Sequence, residues 1–244
     1  MKKGISIIVL LVTLFGCQHK LYVSKTVDKK EISITDEFEP NPEMVKAIEP
    51  YKEQLDAQME QFLTYNPYKL EKGLNANLAN LLADQLLEAG NEIFNKKYNK
   101  QIDVALLNHG GIRRTFTPGN ITVRSIFELM PFENSAVVVK LSGKDFMKMI
   151  DYLKEHRVGH PISGFSFSLD GKDLNLYLKD KPFDINKSYW VITNDYLQKG
   201  GDGMDFFTNP EEKIDLKLKL RDIFIDEFKK NDTLKVDLTP RYLP

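Results

Sequence analysis

The 244-residue chain has a single cysteine, Cys17, so no disulfide can form within it and its stability has to come from a buried core. It also lacks a basic surplus. Its 34 Lys and Arg stand against 35 Asp and Glu, a formal charge of −1, which is not the electrostatic footprint of a protein that binds DNA or RNA polymers. Histidine is scarce. Of His19, His109, His156 and His160, only the last two stand close, and Gly159 and Pro161 argue against a helix that would put them on one face. No metal site is therefore expected in this chain. No apolar run reaches the roughly 20 residues a helix needs to span a bilayer, and no internal repeat is visible. What remains, 42% hydrophobic and 11% aromatic residues, is the composition of a globular chain long enough for one large core.

The N-terminus carries a different signal. Lys2 and Lys3 precede an uncharged stretch from Gly4 to Gly16, which has the size and charge pattern of a secretory h-region. Leu14-Phe15-Gly16-Cys17 closes it and resembles the bacterial lipobox, with Phe15 bulkier than usual. The resemblance implies a signal peptide over 1–16, a lipidated Cys17, a polar tether to residue 38, and a protein exported to the bacterial cell envelope and held on a membrane. Cleavage before Cys17 would leave 228 residues at a formal charge of −3.

Beyond the tether, periodicity predicts interspersed helices and strands. Asn41 and Pro42 open a helix whose Met44, Ile48, Tyr51, Leu55, Met59 and Phe62 recur as one buried face, ended by Asn66-Pro67. A second helix is expected from Asn77 to about Asn95, with Leu78, Leu81, Leu82, Leu86, Ala89 and Ile93 inward. Further helices are expected at Ser142–Glu155 and Lys217–Lys230. Strands are expected at Ile102–Leu107, Ser135–Leu141, Gly164–Leu169, Asn175–Leu178 and Ser188–Thr193. Without a strict βαβ rhythm, the pattern predicts a mixed-sheet α/β fold, a single domain over residues 39–244.

Three segments hold residues suited to ligand chemistry. Asn108-His109-Gly110-Gly111-Ile112-Arg113 follows a strand; paired glycines let a backbone approach a ligand, and Arg113 offers a fork for phosphate oxygens. Read alone, the motif is weak, because a glycine turn with a surface arginine is more often just a turn. Thr193 to Gly203 follows another strand and places Asp202 among three glycines, either as an Asx residue satisfying its own backbone or as a carboxylate held out for a ligand. Between them, Glu128 to Asn134 contains Phe132, for which core burial is the default expectation.

In order along the chain, these segments stand with Gly119-Asn120-Ile121-Thr122, Leu141 to Phe146 and Ser163-Gly164. With Asn80 to Asp84 upstream, the set resembles the C-terminal domain of the secreted 5′-nucleotidase family over about residues 40–240. The resemblance implies a domain that binds the nucleoside part of a nucleotide, its base held between Phe132 and Tyr196. It further implies Asp202 on the ribose hydroxyls, Asn108 at the base and Arg113 toward phosphate. His109, Ala79 and Met204 depart from the usual family residues, and one family arginine has no counterpart between Ala89 and Lys100. That loss implies weaker phosphate affinity, with nucleosides competing well.

The family's hydrolysis belongs to a metallophosphatase domain with Asp-x-His, Gly-Asn-His-Asp/Glu and Gly-His-x-His motifs, none of which occurs here. The expectation is a recognition component in nucleotide catabolism, with no catalytic residue, cofactor or metal of its own. It would act with a separate metallophosphatase that brings the divalent metals. The alternative expectation is a non-catalytic envelope lipoprotein that binds nucleotides or nucleosides.

Overall fold

The structure is a computed structural model that describes residues 39–168, 175–179 and 181–243. The expected signal peptide, Cys17 and the expected tether lie outside the described residues, as does Leu169. Contacts divide the chain into a unit ending at Ile48 and a unit from Glu49 to Pro244. The described part of the first opens helix α1 (Pro42–Met59), whose first turn is capped by Asn41 Oδ1, which accepts the Glu43 and Met44 N–H groups at 2.9 and 3.3 Å. The expected buried face of α1 is not buried. Met44, Ile48, Tyr51 and Leu55 are all more than half exposed, and only Met59, in the last turn, packs against the core. The helix also ends earlier than expected, because Phe62–Asn66 turns into a strand, β1.

The larger unit is a mixed α/β domain. After β1 come α2 (Asn77–Tyr98), β2 (Val104–Leu106), β3 (Gly119–Thr122), α3 (Val123–Leu129), β4 (Ser135–Ser142) and α4 (Gly143–Glu155). Then follow β5 (Ile162–Ser163), β6 (Phe165–Ser168), β7 (Leu176–Leu178), β8 (Lys181–Pro182), β9 (Ser188–Asn194) and α5 (Asp195–Gln198). Last are β10 (Glu212–Lys219), α6 (Leu220–Lys229) and β11 (Tyr242–Leu243). The central sheet runs β10-β4-β9-β2-β5; a second runs β11-β6-β7-β8, and β1 pairs with β3.

Alternation along the central strands explains the layers. Val137, Val139 and Leu141 point into one hydrophobic cluster with Phe146 of α4 and Phe165 and Phe167 of β6. Ala136 and Val138 point into the other, among Leu82 and Leu86 of α2 and Phe224 and Phe228 of α6. The sheet is thus covered on one face by α2, α3 and α6, and on the other by α4 and the second sheet. Local signals fix the helix starts: Ser142 accepts the Asp145 N–H at the head of α4, and Thr122 and Ser125 form a reciprocal box at α3. The expected helix Lys217–Lys230 begins only at Leu220, because Glu212–Lys219 is an edge strand paired with β4 and kinked where Lys217 takes a φ of +61°.

Phe146 is fully buried, with its ring 5.1–5.7 Å from those of Phe165, Phe183 and Tyr189. Its replacement by alanine is expected to cost about 3–5 kcal/mol. Urea denaturation should show a lower midpoint at unchanged slope; a loss below about 1 kcal/mol would contradict this packing.

Candidate functional site

Strand order brings the three sequence segments to one place. β2 and β9 are parallel neighbours, Val104 opposite Val191 and Ala105 opposite Ile192, so their carboxyl ends emerge side by side. β4 is antiparallel to β9, with Ala136 opposite Asn194, so its amino end arrives at the same edge. That edge therefore receives Asn108 to Arg113 from β2, Tyr196 to Gly203 from β9, and Phe132 to Asn134 leading into β4. The crevice beyond strand carboxyl ends is where open α/β sheets characteristically bind ligands.

Each segment is shaped locally. After β2, His109–Gly111 forms one 3₁₀ turn. Gly111 leaves room for the Asn108 side chain: a Cβ there would lie 2.9 Å from Asn108 Oδ1, and that amide would have to shift. After β9, Asn194 caps α5 by accepting the Leu197 N–H at 2.8 Å, which sets Tyr196 on the first turn. The chain then passes through Gly200 and Gly203 at positive φ, with Asp202 between them at +55°. Gly201 lies flat under Tyr196, and a Cβ there would meet the ring at 2.5 Å.

Asn108, Gly110, Gly111, Arg113, Phe132, Asn134, Tyr196 and Asp202 line one cleft of about 330 Å³. All five residues expected to bind substrate are therefore brought together. Phe132 and Tyr196 are 43% and 44% exposed, so the default expectation of core burial for Phe132 is overturned. A proline-fixed turn holds Phe132 outside the core, and the turn is tied down through Glu133, which takes Arg221 and Lys219 of the β10–α6 junction. Those cations hold the Glu133 carboxyl below the usual range, mainly through the Arg221 hydrogen bond. The Arg113 guanidinium lies 5.9 Å from the centroid of the Phe132 ring.

Asp202 does not serve its own loop as an Asx residue. Its Oδ2 accepts Asn108 Nδ2 at 2.7 Å and its Oδ1 accepts the Tyr196 hydroxyl at 2.6 Å. Its N–H donates to Tyr196 Oη at 3.2 Å, and its carbonyl accepts the Tyr152 hydroxyl at 2.8 Å. Tyr152 and Asn134 were not singled out from the sequence. Asn134 ends a segment that was, whereas Tyr152 sits in an ordinary helical pattern with no local signal. His156 caps the end of α4 and His160 is buried beyond it.

The class these features define is a mixed α/β domain with a cleft at the carboxyl ends of parallel neighbours, walled by two exposed rings around a fixed carboxylate. The family described as 5′-nucleotidase, C-terminal domain, matches residues 64–209, and the chain belongs to it. The trifunctional nucleotide phosphoesterase protein YfkN of Bacillus subtilis is 26% identical over 228 residues, covering 83% of this chain and 15% of that protein. Protein UshA of Escherichia coli is 28% identical over 189 residues, 71% of this chain and 32% of UshA. Among solved structures, the 5′-nucleotidase precursor of Thermus thermophilus superposes with a TM-score of 0.66 at 25% identity, over 81% of this chain and 42% of that one. The chain thus spans less than half the length of each of these relatives.

By accepting a hydrogen bond from the phenolic hydroxyl, the Asp202 carboxylate holds Tyr196 above the usual tyrosine value of about 10. The pair's contribution to stability is therefore complete below that ordinary value and is lost as pH rises through the raised one. Ultraviolet titration of wild type minus Tyr196→Phe should isolate a step above the ordinary range, and Asp202→Asn should return it toward that range. A wild-type step at the ordinary value would refute the bond.

Proposed function

We propose that this chain is the nucleotide- or nucleoside-recognising component of a 5′-nucleotidase. The base lies between Phe132 and Tyr196, Asp202 receives the ribose hydroxyls, Asn108 contacts the base, and Arg113 faces phosphate. The observation that carries this reading is the convergence of those five side chains on one cleft. Two π faces suit a flat heterocycle, and each base–aromatic contact is worth about 1–3 kcal/mol in related systems. An ionised carboxylate is an acceptor only, and so suits paired hydroxyl donors.

Among the described residues, no three of His, Cys, Asp and Glu converge as a metal site. The divalent ions used in the family's hydrolysis do not fit these residues, and no catalytic step is assigned to them. On this reading, hydrolysis falls to a separate metallophosphatase chain. The N-terminal pattern supports a lipid on Cys17 and attachment to the bacterial cell envelope, and no described helix is long and apolar enough to cross a membrane.

Isothermal calorimetry with AMP and adenosine is expected to show binding by the purified chain. Phe132→Ala and Tyr196→Ala should each weaken it by about 1–3 kcal/mol. Unchanged affinity in both variants would refute the sandwich, and AMP hydrolysis by the chain alone would refute the division of labour.

The anchor is tested separately. The wild-type protein should incorporate labelled palmitate and Cys17→Ser should not; absence of label from the wild type would rule out a lipid at this position.

A further inference from the structure

Asp202 occupies a left-handed conformation, with φ at +55°. A residue with a Cβ adopts this conformation at an energetic cost, and it persists only when its surroundings hold it there. Part of the hold comes from inside the cleft, through Tyr196 and Asn108. The remainder comes from the end of α4 and the segment after it, which do not line the cleft. Tyr152, in the last turn of α4, donates its hydroxyl to the Asp202 carbonyl at 2.8 Å. Its ring stacks on His156 at 4.1 Å between centroids and lies 5.6 Å from His160 and 5.7 Å from Phe206.

His160 serves the other turn. Its Nδ1 accepts the N–H of His109, the first residue of the 3₁₀ turn after Asn108, at 3.2 Å. The imidazole is 5% exposed, and its backbone is fixed on both sides. The His160 carbonyl accepts the Tyr242 hydroxyl at 2.7 Å, and the Pro161 carbonyl accepts the Leu107 N–H at 2.9 Å. Accepting at Nδ1 requires an unprotonated nitrogen there, which places the ring's proton on Nε2. Burial supports that state, lowering the pKa to about 4, with neighbouring His109 and His156 acting in the same direction and Asp202 opposing.

Two adjoining side chains thus hold the two ligand-bearing turns: one fixes the amide that follows Asn108, the other the carbonyl of Asp202. We propose that Tyr152 and His160 are positioning residues of the ligand site, setting Asp202 in register with Asn108 so that the carboxylate meets the two ribose hydroxyls together. The inference rests on the nucleoside reading above. Neither side chain lines the cleft; Tyr152 acts through the backbone carbonyl of Asp202, and His160 through the amide of His109, the residue that follows Asn108. The stacking walls are set elsewhere, Phe132 by the turn that Glu133 ties down and the Tyr196 ring by α5 and Gly201 beneath it, with only its hydroxyl reaching Asp202, so the expected loss falls on sugar recognition and spares base stacking.

The test uses Tyr152→Phe, His160→Leu and His160→Asn in the otherwise unchanged chain. Asparagine restores an acceptor oxygen close to the position of Nδ1; leucine does not. Calorimetry should show that Tyr152→Phe and His160→Leu weaken adenosine roughly fivefold, the effect of one hydrogen bond. Affinity for 2′,3′-dideoxyadenosine should be unchanged, and His160→Asn should recover adenosine binding. An equal loss for both nucleosides, or no loss for adenosine, would overturn the proposal. If His160→Leu fails to fold, Tyr152→Phe carries the same comparison. A ligand-free measurement separates this inference from the reading beneath it. Hydrogen exchange of the His109 amide should quicken in His160→Leu and stay slow in His160→Asn. Should the wild-type chain bind neither nucleoside, the functional reading fails while the exchange rates still report on His160. Unchanged exchange in both variants would refute the role of His160 directly.

Discussion

The candidate site depends on one carboxylate that joins two turns 94 residues apart in sequence. Asp202 takes the Asn108 amide on one oxygen and the Tyr196 hydroxyl on the other, while its backbone N–H and carbonyl are held by two tyrosines. Every polar atom of the residue has a partner on this chain. A left-handed aspartate between two positive-φ glycines would otherwise be a poor choice for a connection, because the glycines raise the entropy lost on folding and the aspartate adds strain. The structure accounts for that cost by giving the loop a fixed role at the mouth of the cleft.

Such a joint is possible only because the sheet is mixed. Were β2 and β9 antiparallel, their carboxyl ends would lie at opposite edges and Asn108 could not reach Asp202. With β4 running against β9, the segment entering it brings Phe132 to the same edge as the segments leaving the other two strands. A single sheet order thus assembles residues from three stretches of sequence. The helices and second sheet that cover its faces keep the strands at fixed spacing without themselves entering the cleft. Stability thus resides at the faces of the sheet, and the recognition proposed above at its edge.

How much of this was legible in the sequence follows from which forces act locally. The buried strands β4 and β9 and the helices α2 and α4 are clear from periodicity and caps, since each carries its own apolar face. The stripe on α1 has the same periodicity, but periodicity reports an apolar face, not what covers it; Met44, Ile48, Tyr51 and Leu55 remain exposed. The expected helix takes in the last three residues of β10, because Leu218 and Leu220 run continuously into the helical spacing of Ile223 and Phe224, and the rest of the strand carried no expectation. Its period of two was present, but its charged outer positions weakened the signal. The motif residues of the cleft were legible as a set through family resemblance and only ambiguously one by one. Tyr152 and His160 were not legible at all, because their contacts are made across the fold to backbone atoms, and sequence carries no local mark of such a contact.

The geometry also redistributes the work assigned to Asn108. One of its amide hydrogens is committed to Asp202, and its Oδ1 folds back over Gly111, where a Cβ would lie 2.9 Å away. A side-chain amide has two donors and one acceptor oxygen, so what remains for a ligand is limited to the second hydrogen and part of the oxygen. Asp202, by contrast, has about four acceptor positions on its two oxygens, of which side-chain donors of this chain use two. The carboxylate therefore has capacity for two further hydroxyl donors without breaking its existing bonds. In the proposed site, Asn108 would contribute chiefly by orienting the carboxylate, and the carboxylate would make the specific contact.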